Sequence, residues 1–241
     1  MRIDEDLCIL CEQCVPYCPM EAIEPGDDFA VIDQDECVDC GVCLRSEVCS
    51  VDAIVYEPAP WPRSLRASLS NPTVVHENTG IPGRGTEEMK TNDVTGMFKR
   101  GEVGLGLEFG RPGIGTRFRD VDKVAQVMAK IGAQFRLENP VTFLMEDVST
   151  GRLKKEILDE KVLSAILEFA LPMEKMKDAL SALKEVARDV DTVFSVECIN
   201  VVEPDGSLPM DKILSEMGIT RYINGKTNVG LGRPLAQGES K

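Results

Sequence analysis

The chain of 241 residues has one histidine, one tryptophan and three tyrosines, and aromatic residues make up only 5% of it. So few flat side chains offer no platform for stacking bases. The 41 acidic against 27 basic residues would repel a phosphate backbone, so nucleic acid is excluded as a partner. No apolar run approaches the roughly eighteen residues of a membrane-spanning helix. Nucleotide loops are missing too. Gly104-Leu105-Gly106-Leu107-Glu108-Phe109-Gly110 has the wrong last spacing for G-x-G-x-x-G, Gly113-Ile114-Gly115 lacks a third glycine in register, and no G-x4-G-K-[ST] occurs. No standard motif for NAD, FAD or ATP is present. Positive charge is scarce in one place above all: residues 1–57 hold fifteen Asp and Glu against Arg2 and Arg45, a net of −13, while the rest of the chain is at −1.

That acidic segment holds eight of the nine cysteines, in two runs. The first is Cys8-x2-Cys11-x2-Cys14-x3-Cys18-Pro19. The second is Cys37-x2-Cys40-x2-Cys43-x5-Cys49-Ser50. Soft thiolates in triplets followed by a fourth suit an iron–sulfur cube, whereas zinc ribbons use pairs of C-x2-C. Disulfides would suit an exported chain, but no signal peptide precedes Met1-Arg2-Ile3-Asp4. An internal repeat accompanies the cysteines. Ile3-Asp4-x-Asp6-x-Cys8 recurs as Ile32-Asp33-x-Asp35-x-Cys37, and Cys18-Pro19-Met20-Glu21-Ala22-Ile23 recurs as Cys49-Ser50-Val51-Asp52-Ala53-Ile54. Each half reads as strand, cysteine loop, helical turn and strand about a pseudo-twofold axis.

Over residues 1–57 the chain resembles the bacterial-type two-[4Fe-4S] ferredoxins. In that family the last cysteine of each run crosses to the other cluster. The resemblance therefore implies a cluster I held by Cys8, Cys11, Cys14 and Cys49, and a cluster II held by Cys37, Cys40, Cys43 and Cys18. It implies single-electron transfer as the chemistry, and oxygen-sensitive clusters in the reducing cytoplasm of an anaerobe. Two departures stand out. Five residues, Leu44 to Val48, precede the last cysteine of the second run where the first has three, and Ser50 replaces Pro19. The extra residues predict a bulged loop beside cluster I. The Ser50 N–H is a new donor near sulfur, and such bonds raise reduction potential, so the clusters are expected to differ. Each oxidised cube with its thiolates adds about −2 to an already acidic surface. Such a field steers the segment toward a basic docking surface on a redox partner.

Pro58-Ala59-Pro60-Trp61-Pro62 opens a stiff connector, and no periodicity is convincing before Gly101. Residues 58–100 thus read as an extended Pro/Gly-rich linker and arm, too long for a routine loop. Its stretch from His76 to Gly96, with Arg84 and Lys90, has the glycines and small polar groups to cradle an anion, or to clamp a partner or domain. His76, the lone histidine, is expected to be a structural hydrogen-bonding group. The stretch resembles anaerobic iron–sulfur reductases of the 6-hydroxynicotinate reductase type, which join a ferredoxin-like segment to further domains. No catalytic residue is carried over from them.

From Gly101 the pattern predicts strands over 102–110, around Val141, Phe143 and Met145, over 163–171, and from Phe194 to Val202. Helical stripes run from Val121 to Ile131 and from Pro172 to Val190. The order is βαββαβ, so residues 101–203 are expected to form a ferredoxin-like α/β plait with strand order 4-1-3-2 and two helices on one face. The fold class is α+β: a dicluster ferredoxin module followed by this plait. Cys198 reads as a small buried hydrophobe. Glu108, Glu146, Glu168 and Glu197 fall one per strand on the other face, expected to be solvated or paired with Arg111, Arg117 and Arg119, with a basic partner or second subunit and a metal or proton-handling site as the alternatives. Residues 204–241 read as a short helix and a Gly-rich tail, Asn224 to Pro234.

Three functions fit these features. One is an electron-transfer subunit of an anaerobic oxidoreductase complex, the plait giving assembly surface to a larger partner or to a second copy. Another is a ferredoxin-fused reductase with its substrate between arm and plait. A third is a redox-linked small-molecule binding module. The absence of hydride-cofactor motifs favours the first.

Overall fold

The computed structural model describes residues 1–82, 96–111 and 113–221. The fold is α+β. In the first unit, β1 (Arg2–Ile3) pairs antiparallel with β4 (Ile54–Val55), and β2 (Ile23–Pro25) with β3 (Ala30–Ile32). The strands are short because the segment is spent on two cysteine loops. The repeat in sequence becomes a repeat in hydrogen bonding. The Asp4 N–H donates to the Ala53 carbonyl at 2.7 Å, and Asp33 N–H to Ala22 at 2.8 Å. The same aspartates then start each loop. Asp4 Oδ1 accepts the Asp6 N–H at 3.1 Å and Asp33 Oδ1 accepts the Asp35 N–H at 2.8 Å, the local side-chain bond that makes Asp a turn former. Each aspartate's carbonyl takes the N–H of the following cysteine, Cys8 at 3.0 Å and Cys37 at 2.9 Å.

The five-residue spacer of the second run does not simply bulge. Its first residues complete a helical turn, α1 (Val42–Arg45), and Glu47 turns the chain through a positive φ of 52° toward Cys49. The shorter first run makes a single 3₁₀ turn at Val15–Tyr17.

The connector departs from expectation. After the prolines it forms a helix, α2 (Ser64–Ser70), rather than staying extended. Leu65 and Leu69, one turn apart, enter the core of the second unit. Arg66 and Ser70 are buried as well. Seven residues give too short a stripe for periodicity to stand out; tertiary packing on two sides stabilises this helix.

The second unit begins with β5 (Glu102–Phe109) and β6 (Thr116–Arg117), then α3 (Phe118–Ile131) and β7 (Gln134–Phe135). A small hairpin follows, β8 (Met145–Asp147) with β9 (Arg152–Leu153), and β10 (Lys161–Val162) pairs back to β6. Then come β11 (Ala165–Pro172), α4 (Met176–Val186), β12 (Phe194–Ile199) and α5 (Pro209–Glu216). The main sheet has the order β12-β5-β11-β7, antiparallel throughout. Leu107 lies opposite Leu167, so Leu107-Glu108-Phe109 and Leu167-Glu168-Phe169, alike in sequence, are cross-strand neighbours. Val103, Leu105, Leu107 and Phe109 alternate onto one face with Leu167, Phe169 and Leu171, and bury against Val121, Val124 and Met128 of α3 and Met176, Leu180 and Leu183 of α4. Each such side chain contributes about 1.5–3 kcal/mol on full burial. Gly110 and Gly115 carry the chain out of β5 at φ 84° and 71°. A Cβ at Gly110 would lie 2.7 Å from the Leu163 carbonyl oxygen, so only glycine fits there.

Several sequence expectations change here. The strand expected around Val141–Met145 is a 3₁₀ turn at Thr142–Leu144 running into β8, which pairs with β9 outside the main sheet. Asn139 causes this. Its Oδ1 accepts the Val141 N–H at 2.8 Å, folding the backbone after Pro140, and its Nδ2 donates to Glu168 at 2.7 Å. Glu146 therefore leaves the proposed band of carboxylates and pairs with Arg152 at 3.1 Å. Glu108 pairs with Arg111 at 3.1 Å, Glu168 is buried, and Glu197 is exposed. Arg117 and Arg119 turn elsewhere, to Glu36 at 2.8 Å and Asp159 at 2.7 Å. Nor is the second sheet face wholly open: fully buried Phe98 packs on Ala170 and Ile199. Cys198 packs against the main core, where burial pushes its thiol up to about 12. Most of the anion-cradle stretch, including Arg84 and Lys90, and the tail from Asn224 to Pro234 lie outside the described residues. No helix among the described residues is long and apolar enough to cross a membrane.

Candidate metal centre

The eight N-terminal cysteines line two cavities. Cys8, Cys11, Cys14 and Cys49 surround one, with Ile3, Ile9, Ala30, Val48 and Ile54 among its walls. Cys18, Cys37, Cys40 and Cys43 surround the other, with Met1, Met20, Ile23, Ile32 and Val38. The cavities enclose about 330 and 320 Å³ of space, part of it open to solvent. All eight are free thiols.

Local backbone geometry makes this convergence. Six non-glycine residues have φ between 49° and 61°: Leu10, Glu12, Glu21, Asp39, Glu47 and Asp52. Five of them obey the repeat. Leu10 matches Asp39, Glu21 matches Asp52, and Glu12 matches Gly41, which has φ 67°. A left-handed residue costs an L-amino acid about 1–2 kcal/mol, and such strain concentrates where function holds the chain in place. Here it curls each C-x2-C-x2-C loop so that its cysteines face inward. The last cysteine of each run is oriented by a matched bond: Ala22 N–H donates to Cys18 Sγ and Ala53 N–H to Cys49 Sγ, both at 3.2 Å. The donor to Cys49 is thus Ala53 rather than Ser50.

The residues fit a multi-atom cluster. Thiols spaced around a cavity suit a larger body, which presents a separate iron to each sulfur. The walls are apolar, and backbone N–H groups reach two sulfurs. Burial pushes the Cys37 and Cys43 thiols up to about 11 and raises Cys14 and Cys40. Such thiols are protonated in the metal-free chain, so loading the site releases protons.

The surroundings of the two loops differ. The Arg66 guanidinium, 4% exposed, donates to the carbonyls of Gln34, Asp35 and Cys37 at 2.9, 3.0 and 2.9 Å, and also pairs with Glu160 of the second unit. Arg63 reaches the Gln34 carbonyl at 2.7 Å and Asp39 at 3.3 Å. Asp39 is buried beside Cys37, 3.6 Å from its Sγ. Arg45 donates to the Cys40 carbonyl at 2.7 Å and to Asn71 at 2.9 Å. Glu36 pairs with both Arg117 and Lys161. Sequence reasoning missed Arg63, Arg66 and Asn71. The one available signal was the spacing of Leu65 and Leu69, which would have suggested a helix but not the target of its arginines. His76 is also buried, its Nδ1 has no hydrogen-bond partner, and burial lowers its pKa, so it is neutral rather than the hydrogen-bonding group expected.

Comparison with known proteins bears on this site. The 4Fe-4S binding domain family matches residues 1–24. Ferredoxin-1 of Caulobacter vibrioides is 47% identical over 51 residues, 20% of this chain and 43% of that protein. A ferredoxin of Mycolicibacterium smegmatis is 41% identical over 83 residues, 33% of this chain and 73% of that one. Ferredoxin 7Fe of Hydrogenibacillus schlegelii is 45% identical over 51 residues, 20% of this chain and 63% of that one. The chain thus spans from under half to about three quarters of the length of these relatives. No solved structure matches. The chain belongs to the ferredoxin family through this segment, which supports an iron–sulfur electron-transfer role.

Proposed function

We propose that the chain carries two [4Fe-4S] clusters and relays single electrons to or from a redox partner protein, within an anaerobic oxidoreductase complex of the cytoplasm. The observation that carries this reading is the division of eight cysteines into two fours, each lining its own apolar cavity. It supports the crossed ligand sets: Cys8, Cys11, Cys14 and Cys49 for cluster I, and Cys37, Cys40, Cys43 and Cys18 for cluster II. When bound, each cluster takes up or gives up one electron at a time. The chain's own residues do the rest. Thiolates would hold the iron, the Ala22 and Ala53 N–H groups stabilise negative charge on Cys18 and Cys49 Sγ, and Ile and Val side chains line the apolar walls.

The second unit, in this reading, is a βαββαβ plait that serves as assembly surface. The sheet order β12-β5-β11-β7, which corresponds to 4-1-3-2, supports it, as do α3 and α4 on one face. β6, β8, β9 and β10 would then be insertions around the second crossing. The domains are taken as 1–57, a connector over 58–100, 101–203, and a C-terminal segment over 204–241.

The test is anaerobic reconstitution with iron and sulfide, followed by metal analysis and EPR of the reduced protein. About eight irons per chain, with signals of two interacting clusters, is the expected result. Seven, the count in the name of the Hydrogenibacillus relative, or four, would overturn it. Cys18→Ala separates the crossed from the uncrossed ligand sets. It should abolish the cluster bound by Cys37, Cys40 and Cys43 and leave the other intact.

A further inference from the structure

The two cysteine loops share one backbone plan, so the covered loop displays the chemistry that fits the uncovered one. In the second loop, Val38 is 1% exposed. Arg66 occupies the carbonyls of Gln34, Asp35 and Cys37, and Glu36 is held by Arg117 and Lys161. The corresponding residues of the first loop are Ile9 for Val38, Glu5, Asp6 and Cys8 for the three carbonyls, and Leu7 for Glu36. Ile9 is 62% exposed and Leu7 48%. Among the described residues nothing donates to the carbonyls of Glu5, Asp6 or Cys8. Cys11 is exposed while its counterpart Cys40 is buried. Exposed Glu5, Asp6 and Glu12 flank Leu7 and Ile9 along the chain, Glu12 lining the same cavity as Ile9, and none of the three forms an ion pair with a described residue. Large apolar side chains clustered on an acidic surface are the mark of a contact site.

We infer that the outer face of the Cys8–Cys14 loop is the port through which electrons cross to the partner, and that the partner is a basic redox protein. Its apolar contact covers Ile9 and Leu7. Its arginine or lysine donors take the Glu5, Asp6 and Cys8 carbonyls, as Arg66 takes their counterparts. Its positive rim faces Glu5, Asp6 and Glu12. The second loop is the inward end, closed by α2 and the second unit of the same chain. This inference rests on the two-cluster reading.

The test uses the full reconstituted chain and a lysine-rich cytochrome c as a model basic acceptor, with electron transfer followed by anaerobic stopped flow. The double variant Glu5→Lys/Glu12→Lys should slow the second-order rate about tenfold or more at low ionic strength and flatten its salt dependence. Glu156→Lys/Asp191→Lys makes the same change of charge on exposed residues of the second unit and should stay within about threefold of the parent. Equal slowing by both pairs would mean that only the overall field matters, and would overturn the port. So would an unaffected first pair. Iron content and EPR are recorded on every sample. A parent chain with fewer than two clusters refutes the two-cluster reading, whereas two clusters with equal rates refute the port alone.

Discussion

Cys8–Cys14 and Cys37–Cys43 share their spacing, their Asp-x-Asp lead-in and a left-handed residue between the first two cysteines, yet Ile9 is 62% exposed and Val38 1%. The loop backbones are alike because local rules shape them: an aspartate turn, positive φ at matched positions, and an amide directed at sulfur. Their surroundings differ because, among the described residues, the chain after residue 57 returns its arginines and α2 to only one of them. The Pro58–Pro62 segment brings α2 across the second loop, with Arg63 at its start and Arg66 within it turned to that loop and Leu65 and Leu69 turned into the core of the second unit. A symmetric module becomes directional without any change in its own design.

The largest effect expected from breaking this comparison is at Arg66. Arg66→Ala leaves three carbonyls and Glu160 without their buried cation, and should cost about 3–5 kcal/mol of stability. Anaerobic urea unfolding of the reconstituted chain measures it. Iron should also be lost to a chelator from cluster II at a rate approaching that of cluster I. Parent-like unfolding would mean that the cover contributes nothing.

The next contrast exchanges packing at matched positions. Val38→Ala should destabilise by about 1–3 kcal/mol, because it opens a gap among buried neighbours. Ile9→Ala should stay within about 0.5 kcal/mol, the usual range at an exposed site. Equal losses would show that Ile9 is as covered in solution as Val38.

The smallest effect concerns the left-handed pair Glu12 and Gly41. A Cβ on Gly41 would lie 2.7 Å from Arg45 Nη1 and 3.2 Å from Asn71 Nδ2, so Gly41→Ala should cost about 1–2 kcal/mol. Glu12→Gly relieves a positive φ of 61° in the open loop and should change stability by about 1 kcal/mol or less. Thermal unfolding of the two variants under argon gives the comparison. A tolerated Gly41→Ala would mean that Arg45 and Asn71 can withdraw from the loop.

The module was legible because its information is local. Eight thiols in two runs, a repeated Ile-Asp-x-Asp-x-Cys and a repeated Ala-Ile strand start each act within a few residues of themselves. The second unit was legible where strands are long and buried. Val103 to Phe109 and Leu167 to Leu171 alternate for the whole length of β5 and β11, and α3 and α4 carry full stripes. Around Val141 alternation misled, because two turns of tight backbone can space apolar residues as a strand does. Asn139, whose side chain bonds both its own loop and Glu168, was the deciding residue. Arg66 and Asn71, which hold the second loop, carry no pattern at all. A buried arginine reads like an exposed one until its acceptors are known.

The sequence by itself determined the chemistry, since soft ligands at short intervals admit few bodies other than iron–sulfur clusters, and it determined where the acid lies. Tertiary structure alone decided which loop is enclosed. The carbonyls of Gln34, Asp35 and Cys37 are chemically the same as those of Glu5, Asp6 and Cys8. Only the path of a connector some thirty residues downstream gives one set its guanidinium and leaves the other facing outward.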